Sequence, residues 1–229
     1  MNFADEPIFQ FLSQYAYQPN LVYLGVFLIM IASGFGFPVP EEVTIVSVGI
    51  LTYMGAHPDL FPPPEVGAPV VNGYEAAAVT LLSVVFADFL VFYIGRLGGR
   101  KIIQRPMFQK IFNANVMARI NQFLDKYGVF AAFMFRFTPG IRFPAHVMMG
   151  MSNFPVWQFG IVDAFAAMIS VPTQILLIYH FGEPILAVMA KFKLYLFSAL
   201  AIGLFVFGVR KFYTWYLTRP PRSGKHPSR

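Results

Sequence analysis

Apolar residues in this chain come in long runs separated by short polar breaks, a pattern unlike the once-per-turn periodicity of a soluble helix. Two runs, 76–95 ("AAAVTLLSVVFADFLVFYIG") and 194–217, are nearly unbroken, and a third, 157–181, is as long but carries Asp163 and Pro172. About 20 apolar residues cross the hydrocarbon core of a bilayer, so each run predicts a transmembrane helix. Two further regions, 21–56 and 127–152, are apolar on both arms and broken in the middle by Pro and Gly, at "GFGFPVPEE" and "RFTPGIR". Each arm is shorter than a full span, and each break carries charge. Irregular backbone at membrane depth must be buried in protein or line a wet cavity, so both regions predict re-entrant helical hairpins.

Composition supports this reading. The chain is 57% hydrophobic and 12% charged, against about 25% charged for a soluble domain. Its basic residues are segregated: 1–95 contains no Lys or Arg, while Arg96–Lys126 and Arg210–Arg229 are rich in both. By the positive-inside rule those basic segments are cytoplasmic, which assigns the net charge of +6 to orientation in the membrane rather than to nucleic acid. The expected order is an interfacial N-terminal segment (1–20), a first hairpin (21–56) and an external loop (57–75). A span (76–95), a basic cytoplasmic segment (96–126) and a second hairpin (127–152) follow. Spans at 157–181 and 194–217 and a basic tail (218–229) complete a single membrane domain with a cytoplasmic C-terminus. Hairpin then span, twice over, is the plan of an inverted-repeat transporter with its site at the repeat interface. The fold class expected is all-α, with two opposed re-entrant hairpins and about three full spans.

Charges inside such a chain are the candidate chemistry. An Arg at the centre of a membrane helix costs about 2.5–3.5 kcal/mol on insertion scales, and Arg136 and Arg142 both fall within the second hairpin, around Pro139 and Gly140. Arg forks match phosphate oxygens in bidentate geometry, so the turn reads as an anion site, most naturally a lipid phosphate. The alternative is that both arginines neutralise buried acids and hold the hairpins together. The first hairpin supplies acids beside Pro38 and Pro40: Glu41, read as opposing the dipole at a helix start, and Glu42, read as the functional carboxylate. Asp88 is an intramembrane acid and so a site candidate; Asp163 is secondary because it lies nearer a span end. His146 and His180 show no metal-ligand spacing and no nucleophile motif stands out. No metal, no cofactor and no enzymatic activity are expected. The chain has no cysteine, which removes thiol chemistry and disulfides.

These motifs resemble those of the DedA family of membrane proteins, also called the VTT or SNARE-associated domain, over roughly residues 20–185. "GFGFPVPEEVTIVSVGIL" is similar to the family's first hairpin. "ADFLVFYIGRLGG" is similar to its Gly-Asp span, placing Asp88, Tyr93 and Arg96 on family positions, and "RFTPGIR" to its Arg-Phe-x-Pro-Gly-x-Arg hairpin. Glu41 stands where the family has Gly, so Glu42 takes the acid position; Ser33 stands where an upstream acid is common, and Ala87 replaces a Gly. The resemblance implies a bacterial inner-membrane protein that moves undecaprenyl phosphate or a phospholipid between leaflets, often with dependence on the proton gradient. Its partners would be the bilayer, an anionic lipid phosphate and protons, with a homo-oligomer left open. The rivals are an ion-coupled small-solute transporter and a non-transporting membrane assembly factor.

Overall fold

A computed structural model describes residues 7–35, 40–103, 112, 114–138, 141–152, 154–182 and 184. The expected span at 194–217, the tail, and Pro38, Pro139 and Gly140 lie outside the described residues. Every regular element among the described residues is helical: α1 (Pro7–Ala16), α2 (Pro19–Gly34), α3 (Glu41–Ala56), α4 (Gly73–Ile103), α5 (Ala114–Tyr127), α6 (Phe130–Arg136) and α7 (Arg142–Met151). An eighth helix, α8, covers Val156–Gly182.

Among the described residues, two helices are long and apolar enough to cross a membrane, Gly73–Gly99 of α4 and Val156–Gly182. Each is somewhat longer than its apolar run because the flanking residues continue the helix. The apolar stretch of α4 stops at Gly99, whose φ of 47° and ψ of −137° break the helical path, a backbone state cheap only for Gly. The helices flanking the two Pro/Gly breaks are shorter. With 16 residues each, α2 and α3 extend about 24 Å at 1.5 Å per residue. With 7 and 10 residues, α6 and α7 extend about 10 and 15 Å. These lengths fall below the roughly 30 Å of a hydrocarbon core. At the N-terminus α1 turns by 105° into α2.

Within the stretch read from sequence only as a basic segment, α5 is amphipathic. Its Ile120 is 1% exposed, with Val116, Met117 and Leu124 partly buried against the same core. That core also holds Val91, Phe92, Ala131, Ala132, Phe135, Val147, Met149 and Phe159. Segment 57–75, expected as an external loop, is tied down as well: Val71 N–H donates to the Ala16 carbonyl and Tyr17 donates to the Phe61 carbonyl.

Helices α4 and α7 pack backbone to backbone. A Cβ built on Gly95 would collide with the Val147 carbonyl, and one on Gly150 with the Phe92 carbonyl. Small residues let membrane helices approach backbone to backbone, and here a glycine from each helix does so. Arg96 locks the crossing, Nε donating 2.9 Å to the Gly150 carbonyl and Nη2 donating to the Phe154 carbonyl. Gly95→Ala or Gly150→Ala is expected to lower stability by about 1–3 kcal/mol, the usual cost of overpacking. Thermal unfolding in detergent checks this, with Gly25→Ala, whose added methyl meets nothing, as the unchanged control.

Candidate functional site

The α4–α7 crossing positions a line of side chains. Arg142, His146 and Gly150 recur every four residues on α7, so they share one face, and Gly150 presses that face onto α4. Asp88 lies two turns before Gly95 on α4, and so is brought opposite Arg142 and His146. Arg136 ends α6 and Glu41 opens α3. Asp163 and Ser170, seven residues apart on α8, complete the ring.

The contacts form one network. Arg136 Nη1 lies 3.0 Å from Asp88 Oδ2 and 3.2 Å from Asp163 Oδ1, and Nη2 lies 3.3 Å from Glu41 Oε1. Its Nε donates 3.3 Å to the Ser170 hydroxyl. Arg142 pairs with Glu41 through Nη1 and with Asp88 through Nη2. His146 Nδ1 is 3.2 Å from Asp88 Oδ1, and Nε2 is 4.0 Å from Asp163 Oδ1. Phe159 closes the imidazole edge-on at 5.1 Å, and itself stacks on Phe92 at 4.5 Å.

Burial is graded across the network. The side chains of Arg136, Asp88, His146 and Asp163 are at most 2% exposed, whereas Arg142 is 20% and Glu41 13% exposed. The cluster therefore has a closed end at His146 and Asp163 and an accessible edge at Arg142 and Glu41. Three carboxylates face two guanidinium groups, so the formal charge is 2 − 3 = −1 with the imidazole neutral. A ligand atom from each of Asp88, His146 and Asp163 lies within 4.8 Å of the other two. The cations this trio faces are the guanidinium groups of Arg136 and Arg142.

The predicted site residues thus separate. Arg136, Arg142 and Asp88 come together, and both arginines do pair with buried acids. Asp163, secondary by sequence, is fully buried at the centre. Of the two acids at the start of α3, the one that meets the arginines is Glu41, whereas Glu42 is exposed; successive helix positions differ by about 100°, and α3 starts with Glu41 turned inward. Pro40 precedes that start in an extended conformation. Tyr93 is 43% exposed and its ring touches Phe89 and Phe92, so it faces away from the arginines. His146 and Ser170 were not foreseen. The signal for His146 was its spacing of four from Arg142, and for Ser170 its spacing of seven from Asp163. Glu41→Gln is expected to lower stability, because Arg136 and Arg142 lose a charged partner, while Glu42→Gln stays near wild type. Thermal unfolding of both variants in detergent checks this ordering.

Fold and site together define an all-α membrane protein with a buried Arg–carboxylate cluster between short and long helices. The VTT domain family profile matches residues 37–183, and the chain belongs to that family. It is 30% identical over 156 residues to an uncharacterized membrane protein of Haemophilus influenzae, covering 68% of each chain. It is 24% identical over 208 residues to an inner membrane protein of Borreliella burgdorferi, covering 87% of this chain and 89% of that one. It is also 27% identical over 112 residues to Protein DedA of Escherichia coli, covering 49% of this chain and 51% of DedA. No solved structure matches the chain.

Proposed function

We propose that this VTT-domain protein moves a lipid phosphate between membrane leaflets, binding the headgroup at Arg136 and Arg142. The observation that carries this reading is a pair of arginines held by carboxylates at the accessible edge and interior of one buried cluster. Each guanidinium bridges separate carboxylates here, and an Arg fork can turn two of its N–H groups onto two oxygens of one phosphate. Arg142 also stands at the first position of α7, where unpaired backbone N–H groups and the helix dipole favour an anion. Glu41, Asp88 and Asp163 compensate the arginines when no substrate is present. Lipid tails stay in the bilayer while the headgroup crosses at the cluster.

In this reading α2–α3 and α6–α7 are two re-entrant hairpins entering from opposite sides, paired with the spans α4 and α8 as inverted repeats. Their short lengths and Pro/Gly breaks support that arrangement. The basic segments face the cytoplasm of a bacterial inner membrane, and no catalytic step is required. Undecaprenyl phosphate is the favoured substrate because a monophosphate on a single polyprenyl chain presents the small dianion two guanidinium groups fit; phospholipids are the second choice.

Exchange of labelled undecaprenyl phosphate between leaflets of proteoliposomes tests the proposal. Protein-dependent exchange of the lipid in the absence of any added small solute supports it. Absence of exchange with this lipid and with phospholipids contradicts it and favours an ion-coupled carrier or an assembly factor.

A further inference from the structure

Two buried polar atoms at the closed end of the cluster have no hydrogen-bond partner among the described residues, His146 Nε2 and Asp163 Oδ2. They belong to residues that already approach each other, with Nε2 4.0 Å from Asp163 Oδ1. Buried polar atoms are nearly always satisfied, and these two orphans lie on residues that face each other. Nε2 offers a lone pair to a proton, and Asp163 offers an acceptor for the resulting N–H. An N–H···O bond needs a separation near 3 Å, so a ring movement of about 1 Å would make it.

The charge balance says when that proton arrives. His146 is faced by Asp88 from α4, Asp163 from α8, Arg136 from α6 and Arg142 from its own helix, with Glu41 of α3 on the far side of both arginines. While the guanidinium groups engage the carboxylates, the imidazole donates Nδ1–H to Asp88 and leaves Nε2 bare. An anion that takes the arginines strips Asp88 and Asp163 of their counter-charge. Uncompensated buried charge is costly, and the imidazole between the two carboxylates is the group placed to neutralise it.

We propose that His146 takes up one proton as the arginines turn to a phosphate, so that anion binding and protonation are coupled. The inference rests on the phosphate reading above and adds the residue that carries the proton. The proton lands on the Nε2 lone pair, and the imidazolium then donates Nδ1–H to Asp88 and Nε2–H to Asp163. Release of the anion returns the arginines to the carboxylates and expels the proton. The sign follows: uptake on binding means that affinity rises as pH falls, by about tenfold per pH unit for one proton.

Calorimetric titration of the full-length protein in detergent with decyl phosphate, in buffers of different ionisation enthalpy, counts the protons taken up. The wild type is expected to take up about one proton more per phosphate than His146→Asn, whose amide keeps the contact to Asp88; the ester's own proton is common to both and cancels. Equal proton counts in the two proteins overturn the role of His146 while leaving the phosphate site standing. Failure of the wild type to bind decyl phosphate overturns the phosphate reading, and this inference with it. A parallel titration with inorganic phosphate separates a lipid headgroup from a free anion as the source of the same chemistry. Should His146→Asn not fold, 15N spectra of histidine-labelled wild type decide the matter, since the chain has four histidines. One imidazole turning to imidazolium with decyl phosphate supports the assignment, and four unchanged histidines overturn it.

Discussion

Arg136→Ala is expected to leave the protein barely able to fold. Its guanidinium touches Asp88, Asp163 and Glu41 at 3.0, 3.2 and 3.3 Å with the side chain 2% exposed. Removing it takes the guanidinium contact from Asp163 and leaves Glu41 and Asp88 to share Arg142. Breaking a buried pair by deleting one partner costs about 3–5 kcal/mol, a large share of a typical folding stability of about 5–15 kcal/mol. Yield and thermal unfolding in detergent should both fall sharply. The double variant Arg136→Met with Asp163→Asn should recover part of that loss, because the charges leave together and a buried ion pair is often neutral to replace. Restored folding without restored transport would separate the structural from the substrate-binding role of Arg136.

Arg142→Ala should do the reverse, keeping the fold and losing transport. Arg142 is 20% exposed and shares Glu41 and Asp88 with Arg136, so its loss leaves both acids with a remaining partner. The charge-assisted contact it would give a phosphate is worth about 1.5–3 kcal/mol, or about 10- to 100-fold in affinity. Exchange of labelled undecaprenyl phosphate should drop by at least that factor while the unfolding temperature moves little. Arg142→Lys should recover the charge without the fork and so restore exchange only in part.

How much of this was legible in the sequence depends on what each residue reveals without its neighbours. Arg136 and Arg142 stood out because charge is expensive in an apolar run, and that cost holds whatever the fold. Asp88 stood out for the same reason. Asp163 was discounted for lying close to a helix end, yet α8 begins at Val156, two turns earlier, and the cluster forms at that level. Glu41 and Glu42 could not be ordered from sequence: the family pattern favoured Glu42, while the inward turn at the start of α3 selects Glu41. His146 looked like an isolated histidine because its meaning lies in the α4–α7 crossing at Gly95 and Gly150, which no linear spacing displays. The long spans were legible from apolar length alone. The amphipathic packing of α5 was hidden beneath the orientation signal of its basic residues.

The central claim is that two arginines in one buried cluster hold a lipid phosphate. Native mass spectrometry of the purified protein with added undecaprenyl phosphate tests it most directly, comparing the wild type with Arg142→Ala. One lipid retained by the wild type and lost from the variant at equal folding is the expected result. Equal retention by both proteins would contradict it and place the lipid elsewhere on the membrane surface.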